Sequence, residues 1–381
     1  MKLNNFLENK PLFYDVIDYD RFPRIFNSIK DKVQTSTKVI HLVGTNGKGS
    51  TGRFLAQLLN LAGKSVTHYS SPHILKFNER IWINGNDISD QELEKYHKQL
   101  QNILTPEQSD ELSYFEYTTL LCAMISNSSE FLILEAGLGG VSDATNAFKK
   151  ELSIFTPIAL DHQSFLGDTI EEIATSKLES MSDVALISKQ TSKIVEIVAT
   201  NIATSFHTKL YFSENITLSK EEENYIKRSS HPEYLKENLR VAFCAMNLLN
   251  IEISIENIKE LDVMFGRLSK ISKNIYLDVG HNELAAQAIV KSLSNKKVIL
   301  IFNSFADKPI ENILQTLKPI IKHLEIIDID DKRIVKKEIL MRCLKKVGID
   351  FKVFTKIDTH ENYLVFGSFS VAEKFLELYK R

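Results

Sequence analysis

Short apolar runs alternate with longer stretches of helical periodicity along this chain, and this alternation constrains the fold more than any other feature. Residues 38–43 (KVIHLV), 131–135 (FLILE) and 298–302 (VILIF) are typical of the apolar runs. Runs of this length suit buried strands, and the segments between them have the spacing of amphipathic helices. The sequence therefore predicts an α/β protein built from repeated strand–helix units with a mainly parallel sheet.

The strand–helix units fall into two series. The first series ends and the second begins near residues 264–268, and a length of 381 residues suits about two domains. We therefore predict one domain over residues 1–265 and a second over residues 268–381. Within the first domain, the polar stretch 213–231 predicts a solvated excursion between elements.

Composition and charge exclude several classes of function. Lys and Arg number 47 and Asp and Glu number 49, a net charge of −2, whereas nucleic-acid-binding domains usually carry a basic excess. No apolar run approaches the roughly 18 residues of a membrane span, and the opening residues (MKLNNFLENK) lack the apolar core of a signal peptide. Cys122, Cys244 and Cys343 lie far apart in segments predicted as helices, which argues against a disulfide or zinc site. We expect a cytoplasmic protein that binds neither nucleic acid nor membrane.

A glycine-rich loop lies between the predicted strand 38–43 and a predicted helix over 51–62. Its residues are Gly44, Thr45, Asn46, Gly47, Lys48, Gly49 and Ser50. Backbone N–H groups at a helix N-terminus attract phosphate, and the lysine adds a cation. The loop departs from the pattern G-x-x-x-x-G-K-[ST], because Leu42 stands where the first glycine belongs and Gly49 separates Lys48 from Ser50. We predict a nucleotide-phosphate loop, and a tight turn without a ligand is the alternative.

Polar side chains follow three other predicted strands. Ser70 comes after strand 66–69, Glu135 ends strand 131–135, and His162 follows strand 152–155 after a short loop. Open α/β sheets bind ligands at the carboxyl ends of their strands, so these side chains should lie beside the phosphate loop. Mg²⁺ needs few protein ligands where phosphate oxygens and water complete its octahedron. Each of these residues alone would usually be an ordinary polar group on the surface. Their joint placement at one edge of the sheet predicts a magnesium site.

Seven segments carry a recognisable combination of motifs. They are GTNGKGS (44–50), YSSPHILKFNERIWING (69–85), YFEYTT (114–119), ILEAGLGGVSDATN (133–146), ALDHQSFLGDTIEEIA (159–174), GR (266–267) and DVGHN (278–282). Together they resemble the folylpolyglutamate synthase/dihydrofolate synthase family of Mur-type ligases. The first motif is shared by Mur-type ligases generally, whereas SSPH, GLGGxxDATN and LDHQxxLG are specific to the folate branch. The resemblance implies a P-loop parallel-sheet N-terminal domain that binds ATP and a smaller Rossmann-like α/β C-terminal domain that carries glutamate-ligase function.

The resemblance also implies a role for each matching residue. The loop 44–50 would hold the ATP phosphates, with Lys48 meeting the β- and γ-phosphate oxygens, and Ser70, Glu135 and His162 would bind Mg²⁺. Lys177 stands where the family has a lysine carbamylated by CO₂; an ordinary surface lysine on a helix is the alternative. The resemblance implies that Asn238 contacts the adenine. It implies that Arg267 in the linker and Asp278 in the second domain contact the nucleotide. The residues that it implies for substrate binding are Ser142, Asp143, Ala144, Asp18 and Phe115.

The implied activity is ATP-dependent addition of L-glutamate to dihydropteroate, to the γ-carboxyl of reduced folates, or to both, through an acyl phosphate. Lys48 and Lys177 would serve the chemistry, and His281 would orient the glutamate or the intermediate, unless it is a structural histidine at a strand end. The resemblance also favours a monomer.

Val141 stands where the family usually has arginine, and Glu283 stands where it usually has proline. These departures leave the residues for ATP and metal intact, but they make the preferred acceptor harder to infer from the resemblance. A Mur-type ligase for another carboxylate and a nucleotide-binding regulator without catalysis are the alternatives.

Overall fold

The chain forms two compact units in a computed structural model that describes residues 1–11, 18–33, 36–255, 258–294 and 296–379. The first unit consists of Met1–Ser230 and Leu235–Asp262. The second consists of His231–Tyr234 and Val263–Arg381.

The first unit contains an eight-stranded sheet. Its strands are β1 (Lys38–Val43), β2 (Val66–Tyr69), β3 (Ile81–Ile83), β4 (Asn86–Asp87), β5 (Phe131–Glu135), β6 (Lys150–Phe155), β7 (Val184–Ile187) and β8 (Lys209–Phe212). Their order across the sheet is β4-β3-β2-β5-β1-β6-β7-β8. The strands from β2 to β8 in this order are parallel, whereas β3 pairs antiparallel with both β2 and β4.

Eleven helices precede residue 249 in the described chain. They are α1 (Leu3–Glu8), α2 (Arg21–Val33), α3 (Lys48–Leu61), α4 (Asp90–Ile103), α5 (Pro106–Glu111), α6 (Tyr114–Ile125), α7 (Gln163–Leu166), α8 (Ile170–Leu178), α9 (Lys193–Phe206), α10 (Lys220–Arg228) and α11 (Glu233–Leu248). Helix α6 is buried at every position from Glu116 to its end, so it is apolar around most of its circumference. It packs in the same core as α2, α4 and strands β1, β2 and β5.

The second unit has its own core and a six-stranded sheet. Its strands are β9 (Ser269–Ser272), β10 (Ile275–Leu277), β11 (Val298–Phe302), β12 (Ile321–Ile326), β13 (Phe351–Val353) and β14 (Tyr363–Phe366). Its helices after residue 262 are α12 (Glu283–Ser292), α13 (Ile310–Leu317), α14 (Lys337–Val347) and α15 (Phe369–Tyr379). The order is β13-β12-β11-β14-β10-β9, with only β9 antiparallel to its neighbour. The predicted α/β architecture with two mainly parallel sheets is confirmed.

One local prediction was wrong. The polar stretch 213–231 contains helix α10, which begins with a capping box between Ser219 and Glu222 and buries Tyr225 and Ile226. Reciprocal hydrogen bonds of this kind satisfy N–H groups that the first turn of a helix leaves unpaired. The two buried side chains then anchor a helix whose other positions are mostly charged, so a polar composition did not mean a loop.

The three cysteines lie in helices α6, α11 and α14, as predicted, and are free thiols. Within the described residues, no helix combines the length and apolar character needed to cross a membrane.

Candidate active site

The carboxyl ends of four adjacent parallel strands bring the predicted site residues to one edge of the first sheet. Strands β2, β5, β1 and β6 are consecutive neighbours. Leu42 of β1 pairs with Glu135 of β5, and Tyr69 of β2 pairs with Leu134. Ser70 therefore follows β2 at the level of Glu135, and the glycine-rich loop leaves β1 beside them. This is the edge at which open α/β sheets bind ligands.

The glycine-rich loop turns directly into helix α3. Gly47 precedes the first helical residue with φ 90°, a left-handed conformation that favours glycine. Gly44 has φ 153°, and a Cβ atom there would lie 2.1 Å from the Thr156 hydroxyl oxygen. The N–H groups of Thr45 and Asn46 both donate to the Pro157 carbonyl oxygen, at 2.9 and 3.2 Å. The loop is thus fixed against the segment that follows β6, with its helix beginning at Lys48 instead of the predicted residue 51.

Lys48 lies between the loop and Glu135. Its Nζ donates to the carbonyl oxygens of Gly44, at 3.1 Å, and Thr45, at 3.4 Å. The same Nζ is 3.8 Å from Glu135 Oε1, and both side chains are largely buried, at 15% and 6% exposure. The other Glu135 oxygen accepts from the Ser71 N–H, at 3.2 Å. The structure therefore places a lysine ammonium and a carboxylate together beside Ser70.

Ser50 and Asn238 flank the start of α3. The Ser50 hydroxyl is buried and, among the described residues, has no hydrogen-bond partner. Such an atom usually costs free energy unless a ligand or ion satisfies it. Asn238, on α11, is 6% exposed, and its Oδ1 would be 2.7 Å from a Cβ atom on Gly47. Both predicted nucleotide-binding residues thus lie at the phosphate loop.

Lys177 is buried in α8, so it is not an ordinary surface lysine. Its side chain donates to the Gly44 carbonyl oxygen, at 3.3 Å. Burial and, to a lesser extent, the Lys48 charge lower the pKa of Lys177 to about 7, whereas the Asp161 and Asp143 charges act in the opposite direction. A lysine with this pKa is largely uncharged just above neutral pH and can act as a nucleophile.

His162 comes last in the predicted metal set and is the most exposed of the three. It adopts a left-handed conformation, with φ 52°, immediately before α7. Its side chain is 41% exposed and its Nε2 lies 4.0 Å from Asp161 Oδ2. Among the described residues no group of three His, Cys, Asp or Glu side chains is arranged to hold a metal. A site with one carboxylate, one imidazole and serine hydroxyls does not need such a group, and the buried, unpartnered Ser50 hydroxyl fits a divalent ion bound with phosphate.

A second glycine-rich loop, over residues 137–140, follows β5 at the same edge of the sheet. A Cβ atom on Gly140 would lie 2.4 Å from the Lys177 carbonyl oxygen, and one on Gly137 would lie 2.8 Å from the Phe115 ring. Asp143 organises the loop, because its Oδ2 accepts from the N–H groups of Gly137 and Leu138, both at 2.9 Å. Burial raises the pKa of the Asp143 carboxyl, and the hydrogen bonds that it accepts oppose that shift.

A buried histidine extends this arrangement. The Thr145 hydroxyl donates to Asp143 Oδ1, and His41 Nε2 lies 2.7 Å from the same hydroxyl oxygen. Because the hydroxyl proton goes to the carboxylate, His41 must be the donor through Nε2–H. Burial lowers the pKa of His41 well below its usual value, which keeps the ring neutral. The chain His41, Thr145, Asp143 ends on the loop beside Glu135 and Lys177, and the sequence analysis did not identify its first two members.

Three other predicted substrate residues have less specific surroundings. Ser142 is exposed, and Ala144 is buried at the start of a short 3-10 turn. The Asp18 carboxylate accepts from the N–H groups of Asp20, at 3.0 Å, and Arg21, at 3.1 Å. The contacts of Asp18 are those of a helix cap before α2.

In the second unit, Asp278 lies just after β10 and is buried. Its carboxylate accepts from the N–H groups of Leu268, at 2.8 Å, and Gly280, at 2.7 Å. Burial raises the pKa of Asp278, whereas Arg267 lowers it. The Arg267 guanidinium lies 5.5 Å from the centre of the Phe369 ring, and His281 Nδ1 is 3.1 Å from the Val279 carbonyl oxygen.

Comparison with known proteins decides the family. A scan against models of protein families gives no match. The dihydrofolate synthase/folylpolyglutamate synthase of Bacillus subtilis is 30% identical over 336 residues, which cover 78% of this chain and 77% of that protein. The chain belongs to the dihydrofolate synthase/folylpolyglutamate synthase family.

Solved structures agree with this dihydrofolate synthase/folylpolyglutamate synthase membership. The crystal structure of Helicobacter pylori folylpolyglutamate synthetase matches with a TM-score of 0.81 and 40% identity, over 99% of this chain and 98% of that one. The fold is also that of the bifunctional enzyme of Yersinia pestis, solved with AMPPNP and a Mn ion, at a TM-score of 0.84 and 24% identity over 98% and 96% of the two chains. The resemblance and the fold class inferred from the sequence are confirmed. The roles of individual site residues remain predictions.

Proposed function

We propose that this chain is an ATP-dependent ligase that joins L-glutamate to dihydropteroate, to the γ-carboxyl of reduced folates, or to both. The observation that carries this proposal is the 40% identity, over nearly the whole chain, to a folylpolyglutamate synthetase. The geometry of the first unit supports it, since a phosphate loop, a lysine and a buried carboxylate meet at the carboxyl edge of one sheet.

ATP binds through the loop 44–50. The N-terminus of α3 and the backbone N–H groups of the loop attract the phosphates, and Lys48 exchanges its contacts with loop carbonyls for phosphate oxygens. Asn238 is the proposed adenine contact. Ser70, Glu135 and His162 hold Mg²⁺, with Ser50 as a further hydroxyl at the phosphates. The ion neutralises phosphate charge as phosphoryl transfer proceeds.

The reaction needs activation because a carboxylate is a poor electrophile in water. A carboxylate oxygen of the acceptor attacks the γ-phosphorus of ATP, which releases ADP and forms an acyl phosphate. The neutral amine of glutamate then attacks the acyl carbon, and the tetrahedral intermediate collapses with loss of phosphate and of one amine proton. Lys48 lies where it can stabilise the transferred phosphoryl group.

Lys177 is proposed as a carbamylated lysine. Its lowered pKa, at about 7, supports this role because only a neutral amine attacks CO₂. The ammonium loses one proton to become the neutral amine, and the amine loses a second proton as its nitrogen bonds to CO₂. The loss of two protons converts a cation into an anion next to Lys48.

The substrate residues are proposed on their positions. Phe115 lies against Gly137 and supplies an apolar wall for the pteroate rings, and Ser142, Asp143 and Ala144 follow the same glycine loop. Asp18 is retained as a substrate residue only by family resemblance. Arg267 in the linker and Asp278 in the second domain, over 268–381, are proposed to contact nucleotide. His281 of the second domain is proposed to orient glutamate.

We also propose a cytoplasmic monomer. Three free thiols, two of them buried, suit a reducing compartment. Sedimentation equilibrium of the purified chain tests the monomer, and a dimer at micromolar concentration contradicts it.

Incubation with ATP, Mg²⁺, radiolabelled L-glutamate and either dihydropteroate or a reduced folate tests the proposed function. Labelled product from either acceptor, dependent on ATP, is the expected result. Lys48→Ala and Glu135→Ala should each abolish product formation while leaving the circular dichroism spectrum unchanged. Product from neither acceptor would favour a different carboxylate substrate or a regulator without catalysis.

A further inference from the structure

A buried arginine beside the candidate active site forms no ion pair with any acidic side chain in the part of the chain that the structure describes. Arg80 is 7% exposed and stands directly before β3. Its Nε donates to His73 Nδ1, at 2.8 Å, and no carboxylate of the described residues forms an ion pair with its guanidinium. Its two Nη groups donate to no described residue. A buried charge is normally paired, because leaving it unpaired costs free energy.

The groups that face Arg80 are neutral. Its guanidinium lies 5.1 Å from the centre of the Tyr114 ring and 5.9 Å from that of Phe77. Burial and the Arg80 charge lower the pKa of His73 to about 4, and burial raises the pKa of Tyr114. His73, Phe77 and Tyr114 therefore supply no negative charge near neutral pH.

The surrounding loop holds Arg80 in place. The nearest acid in sequence, Glu79, is already engaged: its carboxylate accepts from the N–H groups of residues Ile74, Leu75 and Lys76, at 2.7, 2.9 and 2.8 Å. The Arg80 carbonyl oxygen accepts from the Ser70 N–H, at 2.8 Å. The cation is thus fixed, and its backbone is bonded to a predicted magnesium ligand.

The position of Arg80 restricts which anion it can bind. Going from β3 to β1 crosses β2 and β5, and with neighbouring strands roughly 4.8 Å apart this is about 14 Å across the sheet. The phosphate loop leaves β1, so β2 and β5 lie between the strand that follows Arg80 and the strand that leads into this loop. Arg80 is instead adjacent to Ser70 and to Tyr114, which precedes the proposed substrate residue Phe115. These neighbours favour an anion that is carried by the acceptor.

The two possible acceptors differ in the anion that they offer. Dihydropteroate has a single carboxylate, which is the group that reacts. A folate has an α-carboxylate next to the reacting γ-carboxylate. A guanidinium whose Nη groups are both available matches a carboxylate with two parallel hydrogen bonds. We propose that Arg80 binds the α-carboxylate of the terminal glutamyl residue of a folate acceptor, an inference that rests on the proposed function.

Steady-state kinetics of Arg80→Met with the two acceptors tests this inference. The variant keeps an apolar stem but loses the charge. Its KM for a reduced folate should rise roughly 10- to 100-fold, the range for a lost hydrogen-bonded charge pair. Its KM for dihydropteroate and for ATP should stay within about threefold. Arg80→Lys should raise the KM for a reduced folate less than Arg80→Met does, because lysine keeps the positive charge but cannot donate two parallel hydrogen bonds to one carboxylate.

Arg53→Met is the matched control. Arg53 also donates through Nε to a histidine, His68, at 3.3 Å, and lies 5.2 Å from the centre of an aromatic ring, that of Trp82. This variant should leave the ratio of the two acceptor KM values unchanged. Melting temperatures of both variants identify any general loss of fold.

A folate whose α-carboxylate is converted to a carboxamide provides a test that needs no variant. The unaltered protein should bind this analogue as weakly as Arg80→Met binds the folate, and Arg80→Met should not distinguish the two. An unaltered protein that does not discriminate overturns the inference. Equal losses with both acceptors, a higher KM for L-glutamate alone, or turnover of dihydropteroate without any turnover of reduced folate also overturn it. The absence of product from either acceptor is instead a failure of the proposed function.

Discussion

Lys177 shows how burial can prepare a single residue for chemistry. With a pKa of about 7, half of its amines are neutral at pH 7, whereas an exposed lysine is almost fully charged. The charged groups that act on the Lys177 amine are Lys48, Asp161 and Asp143. The positive charge of Lys48 disfavours the protonated form of Lys177. The neutral form is therefore substantially populated at neutral pH and becomes the main form of this side chain above it.

Activity should depend on dissolved CO₂. At fixed CO₂ the initial rate should rise as the pH increases from 6 to 8, because deprotonation supplies the reactive amine, and it should fall in CO₂-depleted buffer. Lys177→Ala should be slow and insensitive to CO₂, with partial rescue by a short carboxylic acid.

Lys150→Met is the control for this prediction. Burial also lowers the pKa of Lys150, to about 8, but its Nζ donates to the Ser180 carbonyl oxygen, and the Lys48 charge does not contribute to its shift. This variant should keep the CO₂ dependence. Equal rates with and without CO₂ in the unaltered protein would show that Lys177 is not carbamylated.

Gly47 should be irreplaceable for nucleotide binding. Alanine at φ 90° is strained by about 1–2 kcal/mol, and its Cβ would lie 2.7 Å from the Asn238 oxygen. We expect Gly47→Ala to weaken ATP binding about tenfold or more, as measured by calorimetry. Gly63→Ala is a matched control, since Gly63 has φ 77° and no atom within 4 Å of its Cβ position. Similar ATP affinity in both variants would contradict a close fit at Gly47.

At the scale of elements, the loop after β5 depends on a partner from β1. The hydrogen-bond chain from His41 through Thr145 to Asp143 connects a buried strand to two loop N–H groups. Thr145→Val would leave the His41 Nε2–H donor unsatisfied, which costs about 1–3 kcal/mol of unfolding free energy. We also expect kcat to fall, because Gly140 of the same loop packs against Lys177.

Thr67→Val is the control that distinguishes an effect of lower stability from an effect of altered loop geometry. Thr67 is a fully buried strand residue whose hydroxyl bonds to that of Ser129, at 2.8 Å. This control should lower the denaturation midpoint and leave kcat near its original value. An unchanged kcat in Thr145→Val would mean that the chain serves folding alone.

Elements with strong local signals were predictable from the sequence. The bounds of β1, β2, β5 and β11 agree with the prediction, because each is a short apolar run between turn residues. Ser89 and Thr169 are each followed three residues later by glutamate, a spacing typical of a capping box, and both boxes are present. Strands β3, β4, β8 and β9 were not predicted, since short edge strands depend on their neighbours for pairing and carry little pattern of their own.

The site was predictable only where residues follow strand ends. Lys48 and Glu135 could be placed together because parallel neighbours end at one edge. Asp161, His41 and Arg80 could not be assigned, since their importance comes from burial and from contacts with residues far along the chain. A buried arginine without a carboxylate is a property of the folded unit and has no signature in sequence.

At the scale of the whole molecule, the account requires that the acceptor carboxylate, and no other group, receives the γ-phosphoryl of ATP. The family membership and the phosphate loop beside Glu135 both support this chemistry. Attack by the carboxylate means that one of its oxygens must leave with phosphate when the amide forms.

Transfer of ¹⁸O tests this claim most directly. Dihydropteroate or a reduced folate with an ¹⁸O-labelled reacting carboxyl is incubated with the protein, ATP, Mg²⁺ and L-glutamate, and the phosphate is examined by mass spectrometry. The account predicts one ¹⁸O atom in phosphate for each amide formed. Amide formation that leaves the phosphate unlabelled would contradict it.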